Sequence, residues 1–391
     1  MILSSISDLT RFQIKLISCF VPCPIFLPRT NNPILYKVLY KALSNPVPLT
    51  VCALFDIFLA SSAIYHLTRT NLDVTTKASI TFFGAILPIA ILMTVSSLYI
   101  NADKCVTLLN FILSYEKFLK SEKIRIYQKI LKLIVRLLGL PGSFLAPIFL
   151  ISMNIIEPER APFVGSVIWA GSRTEYFAGH SIISIAIIGQ GWIYCWLSAG
   201  ACMAIFNVFT ATIFSIWVCL VEIKSWTKFT TISKFSLAAI LIQQLTKYNE
   251  LKIIESQTNA TFRAMFLPCI ILLFAVGNIL STFISISYLR DGTLFQNFGH
   301  FYFLLVSLET YLGTLCFGTL SGKVNKMSIQ FLKNLEKRSV ADYPVLRKRI
   351  KASAPIRIRF GSNFFTILIP LVMIGVCIKW TVKLLLIKTE C

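Results

Sequence analysis

Long apolar runs alternate with short polar stretches along the whole of this chain. Seven runs approach or exceed the roughly 20 residues that carry a helix across a hydrocarbon core: 47–67, 78–100, 133–156, 183–221, 264–288, 300–321 and 363–387. Each predicts a membrane-crossing helix, and together they predict an all-α polytopic membrane protein. The fourth run admits two readings, because no charged residue lies between Ser181 and Val221. It is either one overlong helix or two spans joined at Gly189-Gln190-Gly191 or Ser198-Ala199-Gly200.

Shorter amphipathic patterns fill the connections. Between Thr230 and Arg263, Phe235, Leu237, Ile240, Leu241 and Leu245 recur at helical spacing, and between Gly322 and Ala341 so do Val324, Met327, Phe331, Leu332 and Leu335. Each stripe must bury its apolar face, either in the inner leaflet or against another helix below the membrane. The apolar stretch Leu16–Leu27 is broken by Pro22 and Pro24, lacks a convincing small-residue cleavage site, and reads as a cytoplasmic segment lying at the interface.

Charge decides the fourth run. The chain carries 38 Lys+Arg against 17 Asp+Glu. With seven spans and the N-terminus inside, the inner segments hold five basic residues before Val47, seven in 101–132, six in 222–263 and eleven in 322–362. The outer segments hold six: Arg69, Lys77, Arg160, Arg173, Arg290 and Lys388. Dividing the fourth run would move the 17 basic residues of 222–263 and 322–362 outside, against the positive-inside rule. One long fourth helix is expected, with the N-terminus inside and the C-terminus outside.

Composition agrees. Only 14% of residues are charged against 56% hydrophobic, where a soluble chain carries about 25% charged. The net charge of +21 is therefore a topology signal and not a nucleic-acid footprint. Of eleven cysteines, Cys52, Cys195, Cys202, Cys219, Cys269, Cys316 and Cys377 lie inside apolar runs, and no CxxC pair exists. Neither a disulfide framework nor a zinc ribbon is expected. Motifs such as HExxH, GxSxG, the P-loop and GxGxxG are absent, so the chain reads as a non-enzyme without a cofactor.

A few polar residues stand out against this background. Asp56 and Glu309 sit near the centres of spans, where an acid costs about 2.5–3.5 kcal/mol on insertion scales unless paired or hydrated. Lys379 and Lys383 share a face of the last span and either snorkel to headgroups or face a pore mouth. His66, His180 and His300 all fall at the outer ends of spans, as three separate imidazoles or a shared site.

Seven spans, an inside N-terminus, short outer connections apart from 157–182 and a short external tail together resemble the arthropod gustatory/odorant receptor superfamily. Its last-span signature is Thr-Tyr, five apolar residues, then Gln-Phe. The matching register here is Lys379-Trp380, Thr381 to Leu385, then Leu386-Ile387, which keeps the aromatic and part of the apolar run. Phe360-Gly361-Ser362, Pro370 and Leu384-Leu385-Leu386 resemble divergent chemoreceptor-like chains of springtails.

The resemblance implies a multi-pass plasma-membrane receptor for a small tastant or odorant. It would be a ligand-gated cation channel assembled as a homo- or hetero-tetramer in the lipid bilayer, without nucleic-acid partners. It implies a cytoplasmic segment over 1–46, a six-helix bundle with cytoplasmic extensions (101–132 and 222–263) over 47–321, and a cytoplasmic helix with a pore-lining seventh helix over 322–391. A ligand pocket in the outer half is expected to draw on Phe82, Phe83, Phe149, Met153, Trp192, Tyr194, Phe301 and Tyr302, with Glu309 at its floor. The pore stripe is expected at Ile378, Lys379, Val382 and Lys383, with the lysines turned from the lumen. A secondary transporter using Asp56 and Glu309 as coupling sites is the rival reading. A zinc-dependent lipid amidase of the progestin/adiponectin receptor type would need a histidine cluster that includes a pair on its last span, and no histidine follows His300.

Overall fold

The computed structural model describes residues 2–28, 36–40, 47–69, 72–117, 124–169, 176–225, 234–338 and 344–390. Among the described residues seven helices are long and apolar enough to cross a membrane. The first is Val47–Arg69. The second starts on the Asp73 carboxylate, which accepts the Thr76 amide at 3.1 Å, and runs over Val74–Thr94 into a wider π turn at Val95–Ile100. The third runs from Ile124–Ile134 through Val135–Gly139 to Leu140–Ile156. The fifth is Phe266–Arg290, the sixth Phe301–Arg338 and the seventh Ile369–Glu390.

The fourth helix continues without a break from Tyr176–Cys202 through Met203–Thr210 to Ala211–Ser225. It forms the axis of the bundle: 89% of its most apolar stretch is buried, against 28% for the first helix and 17% for the seventh. Widened turns displace backbone hydrogen bonds, and in lipid those groups need partners from the chain itself. Thr210 Oγ1 donates to Ile205 O at 2.7 Å, and Asn101 Nδ2 donates to Ser96 O at 2.8 Å.

The apolar stripe around Phe331 prolongs the sixth helix and is not a separate element. The second stripe lies on the helix Lys234–Phe262. Leu241, Leu245, Val324, Phe331 and Leu335 are all buried, and Tyr248 stacks on Phe331 with ring centroids 5.3 Å apart. Helix-on-helix packing therefore takes this apolar surface. The side chains of Phe235 and Leu237 lie outside the described residues.

An extended strip is clamped between these two helices. Asn325 Nδ2 donates to Ile356 O at 3.0 Å, Ser328 Oγ accepts the Ile356 amide at 2.7 Å, and Glu255 accepts the Arg357 amide at 2.9 Å. Beyond the strip, Arg359–Phe360 and Asn363–Phe364 form a hairpin through Gly361, whose φ of 54° suits a residue without Cβ. The hairpin uses residues expected in the seventh span, so that helix begins only at Ile369.

The N-terminal segment packs against the bundle as the helices Ile2–Ser5 and Ser7–Phe20. Ile2, Leu3 and Ile6 are fully buried. Gln13 donates to Gly139 O at 3.2 Å and Ser143 Oγ at 3.0 Å, and accepts from Asn207. Glu116 accepts the amides of Ile2 at 2.6 Å and Leu3 at 3.0 Å, with the Ser215 hydroxyl at 2.8 Å.

Burial raises the Glu116 carboxyl from 4.5 to about 7, with those hydrogen bonds pulling the other way. Unfolded, it ionises near 4.5; folded, it keeps its proton to about 7. Its contribution to stability is complete below about 4.5 and is lost as pH rises to about 7. The thermal midpoint of the detergent-solubilised chain is expected to fall across that window. Glu116→Gln should flatten this part of the profile; an unchanged slope would assign the titration to another group.

Candidate ligand-binding cavity

Helices two to six line a cavity of about 120 Å³. Its wall is mostly aliphatic and small: Ala90 of the second helix, Ala146 and Leu150 of the third, Leu197 and Ala201 of the fourth, Val306 of the sixth. Tyr194, Tyr302 and Glu309 are among its polar members. No Lys, Arg or His is among the residues that line it.

Small residues make the space. A Cβ on Gly142 would stand 2.6 Å from Cys202 Sγ and 3.1 and 3.3 Å from the two Glu309 carboxylate oxygens. Glycine at this point lets the carboxyl of the sixth helix lie against the third. The neighbouring hydroxyls are already engaged. Ser198 donates to Gly142 O, and Thr310 Oγ1 donates to Val306 O at 2.7 Å. Glu309 Oε1 is buried without a hydrogen-bond partner, as is the Tyr194 hydroxyl.

Of the residues expected in a pocket, Tyr194, Tyr302 and Glu309 line this cavity. Phe82 and Phe83 are fully buried behind it. Phe83 stacks on Tyr302 at 5.9 Å and contacts Phe163 at 4.7 Å, while Phe82 meets Phe303 at 5.3 Å edge to face. They form a packed aromatic block above the two tyrosines. Met153 is fully buried elsewhere. Phe149 packs on Phe298 at 4.8 Å and Phe301 at 6.4 Å, and Trp192 is partly buried against the core. None of Phe149, Met153, Trp192 or Phe301 lines the cavity. Sequence reading overlooked Gly142, Ala146, Ser198, Ala201 and Cys202. The signal was present as small residues at helical spacing on two adjacent spans.

Past the aromatic block, a polar network ties the 157–163 segment to the fifth and sixth helices. Arg160 reaches Glu157 at 2.7 Å, Ser79 at 3.1 Å and the Tyr288 hydroxyl. His300 directs Nε2 at Glu157 Oε1, 3.1 Å away, and Nδ1 at Thr293 O, 3.0 Å away. Burial alone would raise the Glu157 carboxyl; His300, Arg160 and Asn297 outweigh it and hold it at about 2. His66 and His300 line one groove of about 540 Å³ here. The His180 side chain lies outside the described residues. Among the described residues no three His, Cys, Asp or Glu side chains come together as a metal site.

Asp56, on the first helix, has a buried carboxylate oxygen without a partner but does not line the cavity. On the seventh helix, Cys377 and Thr381 are buried against the fifth, reaching Ala275 O at 3.8 Å and Ile279 O at 3.4 Å. Ile378 and Val382 are exposed, as are Lys379 and Lys383. Lys383 Nζ sits 4.8 Å from the centre of the Trp380 ring.

The arrangement of the helices matches a known architecture over nearly the whole chain. The chain has the fold of an insect olfactory receptor. It is similar to the insect olfactory receptor OR5 from Machilis hrabei in complex with eugenol, with a TM-score of 0.65 and 13% identity over 98% of this chain and 99% of that one. A second structure of the same receptor gives a TM-score of 0.62 and 12% identity, covering 97% of each chain. No family model matches the sequence, and no curated protein does.

Gly142→Ala is expected to destabilise the detergent-solubilised protein by about 1–3 kcal/mol, by driving a methyl group into the Glu309 carboxyl and Cys202. Gly189→Ala on the fourth helix meets nothing within 4 Å and should stabilise by about 0.5–1 kcal/mol through helix propensity. Thermal unfolding of the two variants side by side checks both signs.

Proposed function

We propose that the chain is a chemosensory receptor, a subunit of a small-molecule-gated cation channel that works as a tetramer in the plasma membrane. The observation that carries the reading is the seventh helix. It is apolar enough to span, yet only 17% of its most apolar stretch is buried within the chain. One narrow face, through Cys377 and Thr381, holds it to the fifth helix. A helix so exposed has a surface left for other subunits, as a pore-lining element requires. The cavity supplies a ligand site, and a receptor of the same fold has been solved with eugenol.

In this reading the N-terminus is cytoplasmic and the C-terminus external, following the charge placement, and the layer of helices below the bundle is where subunits meet. Ile378 and Val382 form an apolar ring that gates by dewetting. Lys379 and Lys383 turn from the lumen, since a ring of ammonium groups would repel cations. The transporter alternative has less to stand on, because its two carboxylates, Asp56 and Glu309, do not line a common cavity.

Expression in oocytes with a panel of small odorants and tastants is expected to give single-channel steps; saturable ligand-driven flux without steps would sink the reading. A C-terminal epitope should be reachable on intact cells and an N-terminal one hidden. Lys379→Gln and Lys383→Gln should leave the cation-to-anion permeability ratio within about twofold of the parent, because a charge outside the lumen acts only through screened, long-range terms. A large rise in that ratio would place the lysines inside the pore.

A further inference from the structure

Glu309 sets a chemical demand that no described residue meets. Its Oε1 is buried without a partner, and the lining of the cavity offers no cationic side chain. The nearby hydroxyl protons are committed, Ser198 to Gly142 O and Thr310 to Val306 O. Gly142 keeps clear the place where the carboxyl lies, and a methyl there would collide with the cradle. The rest of the wall is mostly aliphatic, with Tyr194, Phe206, Phe274 and Tyr302 as its aromatic members. A ligand that carries a donor would complete it.

We propose that the cavity selects small aliphatic amines, with the Glu309 carboxylate as counter-ion to the ligand's ammonium group and the aliphatic wall as seat for its hydrocarbon part. The proposal rests on reading this cavity as the ligand site and names its ligand class. An ammonium–carboxylate pair is neutral overall, so it is tolerated in a low-dielectric chamber where either charge alone is not. Amines donate more than one hydrogen bond and do so with charge, which makes the contact stronger than that of a neutral hydroxyl.

Volume sets the size. A dry cavity of about 150 Å³ holds benzene, so one of about 120 Å³ takes roughly five or six non-hydrogen atoms. Isoamylamine, isoamyl alcohol and 2-methylpentane share that size and branching, and differ at the position that would face Glu309.

The experiment compares these three ligands on the detergent-purified full chain by thermal stabilisation, and on oocytes by current. The amine is expected to half-saturate at about tenfold to a hundredfold lower concentration than the hydrocarbon, with the alcohol between them. Glu309→Gln should remove most of that advantage while leaving the hydrocarbon's effect within about twofold, because Gln keeps the volume and loses the charge. An amine no better than the hydrocarbon on the parent protein overturns the proposal, and that comparison needs no variant. An equal loss for all three ligands in Glu309→Gln also overturns it, since it would mark a merely structural carboxyl. Stabilisation by the amine without any current supports the amine site and sinks the channel reading instead. Current from the alcohol and hydrocarbon with none from the amine does the reverse.

Discussion

Everything in this bundle is arranged around the fourth helix, whose most apolar stretch is 89% buried. Polar side chains along that stretch bond mainly to groups inside the chain, because a buried donor or acceptor without a partner is costly in a low dielectric. Its contacts accordingly form a ladder. Asn154 donates to Gln190 at 3.2 Å, Trp196 to the Tyr99 hydroxyl at 3.2 Å, and Ser198 to the Gly142 carbonyl. Farther down, Asn207 meets Gln13 and Thr10, and Ser215 meets Glu116. These rungs fix the second and third helices and the N-terminal segment against one axis. The cavity is the interval on that ladder where side chains shrink to serine, alanine and cysteine.

Hydropathy made the seven crossings legible, because apolar runs of span length have few other uses. The sorting of basic residues between inner and outer segments made the unbroken fourth helix legible as well. Glu309 stood out as a lone acid in its span. The aromatic residues misled by their size: Phe82 and Phe83 fill a block behind Tyr302 instead of facing open space. The space itself is made by what is missing from Gly142, Ala146 and Ala201, and missing atoms leave little trace in a hydropathy profile. The N-terminal helix was hidden for another reason. Gln13 and Thr10 look like surface residues until their partner Asn207, nearly two hundred positions away, is in view.

The polar residues below the bundle follow the same rule in a different setting. Glu255, Asn259, Asn325 and Ser328 each hydrogen-bond the backbone of an extended strip. A strip held this way has a fixed register. It leads directly into the hairpin at Gly361 and then into the seventh helix, so the least buried span is entered from one of the most constrained segments. Gly318 of the sixth helix lies directly against Pro370 at the start of the seventh.

The sixth helix contains 38 residues in one piece, which makes it about 57 Å long at 1.5 Å per residue. The oily layer it crosses is about 30 Å thick. Tyr302 and Glu309 lie in its first turns, and Ser328, Phe331 and Leu335 lie near its other end. A rod of these proportions has the geometry of a lever: any tilt beside the carboxyl would carry the far end sideways in proportion to the length between them.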